Sequence, residues 1–299
     1  MKDQAAKLRQ LVGGKNFVGD LQETGSVNGD KKDNLPYIIA ITSGKGGVGK
    51  TNFTVNLAIA LSRMGKRVLI IDADLGLANV EVILGCSSKY TMMDLLNSDI
   101  SLAQIILEGP AGIKYISGGS GIEQMSDLSV TTRELLIQKL YACETVADII
   151  LVDTGAGVGR NVLDFLLSSD EIILLTTPEP TALTDAYAVI KACKAKTDFL
   201  NIKFIINKIY DESEGIDVGM KLIETTRRFL QVNVSYLGMI YDDRNMTNAI
   251  KKQVPLLLSY PDTIAAKCIN LIAKAVLQGD SMRVKRGWRG FLQRLIFSR

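Results

Sequence analysis

Short apolar runs and longer amphipathic segments alternate along most of this chain. Seven runs rich in β-branched residues have the length and composition of buried strands. They are residues 37–42, 67–72, 113–117, 149–153, 171–176, 203–207 and 235–239. Patterns of helical period separate them, at residues 51–64, 131–144, 181–197, 221–230 and 262–277. The alternation predicts an α/β fold with a doubly wound, mainly parallel sheet that carries helices on both faces.

The N-terminal end of the chain falls outside this rhythm. Residues 13–36 are rich in Gly, Asp, Asn, Lys and Ser, a composition typical of a flexible tether. Before the tether, residues 1–12 place Ala5, Leu8 and Leu11 on one face of a short helix that could fold on a partner. A frayed tail without function fits the same pattern. We interpret residues 37–279 as one domain and residues 280–299 as a separate terminal segment.

That terminal segment has the pattern of an amphipathic helix. Its predicted apolar face consists of Val284, Trp288, Phe291, Leu292, Leu295 and Ile296. Residues 281–299 contain six basic and no acidic residues. This combination is typical of a helix in the interface of an anionic membrane, where each basic residue contributes about 1 kcal/mol. A last helix that packs on the protein's own core and a nucleic-acid-binding tail are the alternatives.

Composition limits the chemistry that the chain can perform. With 47% hydrophobic residues among 299 and a net charge of +3, it can bury one large core but carries too little charge for bulk nucleic-acid binding. It has no histidine, so catalysis must use carboxylates, lysines and a bound cation. The four cysteines are widely spaced, which favours a reducing compartment over a zinc or disulfide framework. Without a spanning apolar run or an apolar signal core, we expect a cytoplasmic protein.

Residues 44–51 read Gly-Lys-Gly-Gly-Val-Gly-Lys-Thr and fit the pattern G-x-x-x-x-G-K-[ST]. The motif follows a predicted strand and opens a predicted helix, which is the context that identifies a phosphate-binding P-loop. The expected contacts with ATP come from Gly46, Gly47, Val48, Gly49, Lys50 and Thr51. Backbone N–H groups wrap the phosphates in such a loop, while Lys50 reaches the β and γ phosphates and Thr51 ligates Mg²⁺.

Three carboxylates at strand ends complete the predicted site. Asp72 ends the second predicted strand and Asp74 follows it with one residue between them, and we expect the two carboxylates to play different roles. Asp153 ends a run of four apolar residues, as expected of a Walker B strand that delivers one carboxylate beside the metal. Hydrolysis at such a site needs positioning and charge neutralisation rather than a covalent nucleophile.

Together, these motifs resemble the MinD and ParA family of dimeric ATPases, P-loop NTPases of the SIMIBI class, from about residue 37 to residue 277. The resemblance implies slow ATP hydrolysis that is gated by dimerisation. It also implies that Lys45 crosses the dimer interface to the partner's ATP. By the same resemblance, Asp72 supports the Mg²⁺ shell through water and Asp74 orients the attacking water.

Two further positions carry over from the family. Asn207 ends a late predicted strand and matches an asparagine that reads the adenine edge, although a β-turn asparagine is an alternative. Residues 240–242, Ile-Tyr-Asp, resemble the family's loop on the other side of the base, where Ile-Pro-Glu is more usual. On this resemblance, Tyr241 is an expected nucleotide contact.

The N-terminal sequence from Asp3 to Arg9 resembles the Asp-Gln-Ala-x-x-Leu-Arg element of one branch of this family, the flagellar-number regulators called FlhG, YlxH or FleN. In that branch the element stimulates the signal-recognition-type GTPase FlhF. The implied contacts with this GTPase are Asp3, Gln4, Ala5, Leu8 and Arg9.

The resemblance to this branch implies control of flagellar number and placement by an ATP-bound homodimer that binds reversibly to the inner face of an anionic cell membrane. The implied partners are FlhF and flagellar C-ring or switch proteins, and no nucleic acid is expected. Three alternatives are a division-site MinD, a ParA-type partition ATPase that binds duplex DNA in a salt-dependent way, and a metabolic or electron-transfer relative.

Overall fold

The computed structural model describes residues 35–74, 79–97, 99–118, 129–278 and 287–297. The predicted N-terminal element, with Asp3, Gln4, Ala5, Leu8 and Arg9, lies outside these residues, as do most of the predicted tether and Val284. The backbone of Ile296 is described, but its side chain is not.

Eight strands of the described chain form one sheet, in the spatial order β3-β4-β2-β5-β1-β6-β7-β8. They are β1 (Tyr37–Ser43), β2 (Val68–Ala73), β3 (Ile106–Glu108), β4 (Lys114–Ser117), β5 (Ile149–Ala156), β6 (Glu171–Thr176), β7 (Ile202–Ile209) and β8 (Ser235–Tyr241). Neighbouring strands are parallel except for β3 and β4, which are antiparallel. The seven predicted strands are confirmed. Strand β3 was not predicted, because three residues at a sheet edge are too short to show a period.

Helices connect the strands and cover both faces of the sheet. They are α1 (Lys50–Arg63), α2 (Asn79–Leu84), α3 (Leu102–Ile105), α4 (Val130–Leu140), α5 (Arg160–Ser168), α6 (Pro180–Lys194), α7 (Glu212–Leu230), α8 (Arg244–Lys252), α9 (Leu256–Ser259), α10 (Ile264–Gln278) and α11 (Gly287–Phe297). Among the described residues, we find no helix with both the length and the apolar character needed to cross a bilayer.

Helix α7 begins well before its predicted start at residue 221, because two glycines in its first half hid the helical pattern. Both glycines allow the helix to lie close to the sheet. A Cβ on Gly215 would lie 2.9 Å from the sulfur of Met239, and one on Gly219 would lie 3.4 Å from a methyl group of Ile206. Here close packing overrides the low helix propensity of glycine.

The core lies in layers on the two faces of the sheet. One face packs against α1, α8, α9 and α10, and the other packs against α4 to α7 and α11. The central strands β1, β2 and β6 are buried along their whole length, as expected for parallel strands covered on both faces. The carboxyl ends of these strands meet at one edge of the sheet, which is where ligands bind in such folds.

Candidate functional site

The P-loop forms one wall of a cleft of about 600 Å³ at the carboxyl edge of the sheet. Gly44 lets the loop approach α6, because a Cβ there would lie 2.2 Å from the backbone carbon of Asp185. Gly49, the N-cap of α1, has a φ of 93°, in the left-handed region that favours glycine. The loop thus ends at a helix N-terminus, where backbone N–H groups and the helix dipole attract phosphate.

The structure brings most of the predicted nucleotide residues together in this cleft. It is lined by Gly46, Gly47, Gly49, Lys50, Thr51, Asp74, Asn79, Asn207, Lys208, Ile240, Asp242, Asp243 and Met246, among other residues. Tyr241 is not brought to the cleft. It packs with the apolar cluster on the opposite face of the sheet, while its neighbours Ile240 and Asp242 line the cleft. A strand alternates its side chains between two faces, so the expected contact falls on these neighbours.

Lys50 lies among the predicted carboxylates. Its Nζ is 3.3 Å from Asp153 Oδ1 and 3.7 Å from Asp74 Oδ2, and the residue is 7% exposed. Asp74 also accepts a hydrogen bond from Asn79 Nδ2 at 2.9 Å. Asn79 follows the aspartates in sequence, but only the fold shows that it holds Asp74 in place. The amino group of Lys50 therefore lies beside two carboxylates where the P-loop meets α1.

Asp72 and Asp153 form a buried acidic pair beside Lys50. Burial and the nearby Asp153 raise the pKa of Asp72 to about 7. The two oxygens of Asp72 accept from the backbone N–H groups of Asp74 and Val80, each at 3.2 Å, so Asp72 holds both ends of the segment between them. Burial also raises the pKa of Asp153. Two buried carboxylates favour a cation between them and the phosphates.

The residues present fit a Mg²⁺ ion. Asp153 Oδ1 lies 2.9 Å from Thr54 Oγ1, but its Oδ2 is buried without a hydrogen-bond partner in the described part of the chain. Thr51 is close enough that its hydroxyl lowers the pKa of Asp153. Mg²⁺ is commonly held by one or two protein oxygens together with phosphates and water. Thr51 and Asp153 would hold the ion, Asp72 would support its water shell, and Mg²⁺ would neutralise charge on the phosphates.

Lys45 stands apart from the cleft. Its Nζ forms an ion pair with Glu179 Oε2 at 2.5 Å and lies 3.2 Å from Thr181 Oγ1, and its side chain is 35% exposed. The neighbouring ammonium lowers the pKa of Glu179. Sequence reasoning did not identify Glu179, which precedes α6 in an ordinary Pro-Glu-Pro turn. Lys45 is thus held at the surface of the chain, outside the lining of the cleft.

Comparison with known proteins shows the family of this chain. A family model for ParA, described as the NUBPL iron-transfer P-loop NTPase, matches residues 34–277. The chain belongs to the ParA family. Members of this ParA/MinD family are ATPases, and the chain is one.

Two curated relatives of this ParA-family chain cover most of its length, and one of them is named for the flagellum. It is 38% identical to the antiactivator FleN of Pseudomonas aeruginosa over 256 residues, which cover 86% of this chain and 90% of FleN. It is 33% identical to the flagellum site-determining protein YlxH of Helicobacter pylori over 302 residues, 99% of each chain. Among solved structures, MinD of Pyrococcus horikoshii complexed with Mg-ADP matches with a TM-score of 0.66 and 26% identity, covering 83% of this chain and 98% of that one. ParA/MinD-type ATPases bind ATP with Mg²⁺, consistent with the predicted cofactors.

The C-terminal helix α11 packs on the protein's own core. Trp288, Phe291 and Leu292 are each 1% exposed, and Leu295 packs beside them. The rings of Trp288 and Phe291 stack with centroids 5.1 Å apart, and Phe165 of α5 lies 6.3 Å beyond Phe291. The face predicted for a membrane is therefore the face that docks in this conformation, as in the core-packing alternative.

Polar contacts fix both ends of the docked helix. Near its start, Trp288 Nε1 donates to Leu140 O at 2.6 Å. Glu144 accepts a hydrogen bond from the backbone N–H of Arg289 at 3.1 Å, and its carboxylate forms an ion pair with the Arg289 guanidinium at 3.2 Å. Farther along, Arg294 Nη2 donates at 2.6 Å to the backbone oxygen of Ser168, which is the last residue of α5. A carboxylate at a helix N-terminus and a cation at a helix C-terminus both complement the helix dipole.

Proposed function

We propose that this ParA-family ATPase is a dimerising membrane switch that regulates flagellar number and placement and stimulates an FlhF-type GTPase through its N-terminal element. The observation that carries the proposal is the match to YlxH, a flagellum site-determining protein, over 99% of both chains. That match extends beyond the ATPase domain into both terminal segments. The match to FleN supports the same assignment.

ATP-dependent dimerisation is supported by the position of Lys45. Because its pair with Glu179 is exposed, water can replace Glu179 at little cost when Lys45 leaves. In the proposed homodimer, Lys45 crosses to the partner's ATP and adds positive charge where negative charge develops during hydrolysis. Asp74 orients the attacking water, and Lys50 neutralises charge on the same phosphates.

Reversible membrane binding is supported by the double use of one helix face. Trp288, Phe291 and Leu292 cannot be buried in the core and in a lipid interface at the same time. Helix α11 therefore has two competing positions, and any state that favours the undocked one favours the membrane. Two released helices in an ATP-bound dimer bind an anionic surface more strongly than one helix does.

Leu35, the first residue that the structure describes, lies close to this helix. A Cβ on Gly287, the first residue of α11, would lie 3.0 Å from Leu35 Cδ1, so the described domain has its first and last parts in contact. We propose that the N-terminal element therefore meets its GTPase near the cytoplasmic membrane surface, where C-ring proteins are further proposed partners.

The test is GTP hydrolysis by the cognate FlhF-type GTPase with the full-length protein and with its Gln4→Ala variant. A synthetic peptide covering Met1 to about residue 20 isolates the element from the ATPase domain. We expect the protein and the peptide to stimulate hydrolysis and the variant to lose that stimulation. If neither the protein nor the peptide raises the rate above that of the GTPase alone, the flagellar role is contradicted and the chain is a membrane-switching MinD-like ATPase without an assigned partner.

A further inference from the structure

Strand β7 contains a bulge at the edge of the nucleotide cleft. Asn207 pairs with Ile240 and Ile209 pairs with Tyr241, so Lys208 is an extra residue between two consecutive partners on β8. Lys208 has a φ of 60°, in the left-handed region that residues with a Cβ rarely adopt. A bulge of this kind redirects a side chain and is common beside active sites.

The bulge places two successive side chains on the same side of the sheet. In a regular strand, Lys208 would face away from Asn207. Instead both residues line the cleft, and Ile209 packs with Phe204 and Ile206 on the opposite face, which an uninterrupted alternation would not allow. The strained backbone at Lys208 thus delivers an ammonium group to the nucleotide side.

Both side chains bind the P-loop. Asn207 Nδ2 donates to Val48 O at 2.7 Å, and Lys208 Nζ donates to Gly47 O at 2.9 Å. These are consecutive carbonyls of the loop that wraps the phosphates. In a trans peptide the C=O and the following N–H point in opposite directions. Carbonyls held toward β7 therefore turn the N–H groups of Val48 and Gly49 away from β7, into the phosphate cradle.

We propose that Lys208 is a positioning residue of the ATP site, which fixes the orientation of the P-loop amides together with Asn207. We expect its effect at the phosphate end of the nucleotide, although Lys208 lies on β7 next to Asn207, where the base is expected. Backbone N–H groups bind phosphate well only when they already point at it, because reorientation costs part of the binding free energy. The inference concerns the ATPase site alone and does not depend on the flagellar role.

The experiment measures binding of Mg-ADP, inorganic pyrophosphate with Mg²⁺, and adenosine to the full-length protein and two variants. Lys208→Gly keeps the left-handed backbone and removes the contact, whereas Lys208→Arg keeps a cationic donor. Calorimetry measures ADP and pyrophosphate binding, and ligand-observed NMR measures adenosine binding. We expect Lys208→Gly to weaken ADP and pyrophosphate by the same factor, about 3- to 10-fold, and to leave adenosine unchanged. Lys208→Arg should stay within about twofold of wild type.

A matched variant separates the contact from the backbone strain. Gln231 also has a left-handed φ, of 55°, but it caps the C-terminus of α7 away from the cleft. Gln231→Gly should leave all three affinities unchanged, and both glycine variants should unfold at or above the wild-type temperature without nucleotide. Wild-type pyrophosphate binding by Lys208→Gly would overturn the proposal, as would an equal loss of adenosine affinity. The proposal would also be overturned if Lys208→Gly and Lys208→Arg both unfolded at a lower temperature than the wild type.

Discussion

The nucleotide cleft and the docking surface of α11 are built on opposite physical principles. Side chains in and beside the cleft are held by polar contacts: Asp72, Asp74 and Asn207 each have a hydrogen bond that sets their position before any ligand arrives. The docking surface is mainly apolar, with Trp288 and Phe291 stacked in the core and polar contacts at the helix ends. Polar geometry selects one ligand, whereas an apolar face accepts any apolar surface. The cleft is therefore specific, whereas the apolar face of α11 suits the exchange of partners that we propose.

The largest expected effect comes from breaking the polar side of this comparison at Asp74. Asp74→Ala removes the proposed water-orienting carboxylate and should lower the ATP hydrolysis rate by at least about 100-fold. ATP binding should stay within a few-fold of wild type, because the P-loop and Lys50 remain. With hydrolysis blocked, ATP should hold the protein as a dimer, which light scattering coupled to size exclusion measures.

A graded variant tests whether the position of Asp74 matters as well as its charge. Asn79→Ala keeps the carboxylate and removes its hydrogen-bond donor, so its hydrolysis rate should lie between those of wild type and Asp74→Ala. If Asp74→Ala remains monomeric with ATP, the role assigned to this aspartate is wrong.

The next largest effect is on the apolar side, where Phe165→Ala removes the ring that receives Phe291. Loss of a buried Phe side chain lowers the free energy of unfolding by about 3–5 kcal/mol, and part of this loss weakens the docking of α11. Trp288 is the single tryptophan of the chain, so its fluorescence reports directly on the helix. We expect a red-shifted emission in the nucleotide-free protein and stronger binding to anionic liposomes.

The adjacent residue supplies the control for lost stability. Leu166 is also buried on α5 but belongs to a different apolar cluster from Phe165 and α11. Leu166→Ala should lower the unfolding temperature without a change in Trp288 emission. Identical emission shifts in the two variants would show that Phe165→Ala acts through general loosening and not through α11.

The two regions also differ in how far the sequence predicts them. The P-loop, Asp74 and Asp153 are found by motif, because phosphate binding requires particular residues at a fixed spacing after a strand. The site residues found only in the structure, such as Glu179, depend on contacts between distant segments. Tyr241 was expected in the cleft, but strand alternation places its neighbours there. For α11, the sequence shows an apolar face but not its partner, since core and lipid favour the same residues.

A smaller effect is expected from the polar contact at the start of α11. Glu144→Gln removes the charge that pairs with Arg289 and leaves every apolar contact in place. The Arg289 side chain is 65% exposed, so solvent screening limits the loss to about 0.3–1 kcal/mol. Trp288 emission should shift slightly, and liposome binding should rise by a few-fold. The difference from wild type should shrink at high salt, and a difference that salt leaves unchanged would point to packing instead.

The smallest expected effect is that of a change at Glu179. This change also tests whether dimerisation at the cleft is coupled to the release of α11. Glu179→Gln releases Lys45 from its partner within the protomer, so the ATP concentration that gives half-maximal dimer should fall by about two- to fivefold. Asp198→Asn is the matched control, because it breaks another exposed ion pair of 2.5 Å, with Lys194, outside the cleft. If dimerisation releases α11, Glu179→Gln should also lower the ATP concentration needed for liposome binding by the same factor. Easier dimerisation without easier liposome binding would mean that helix release is not coupled to the dimer.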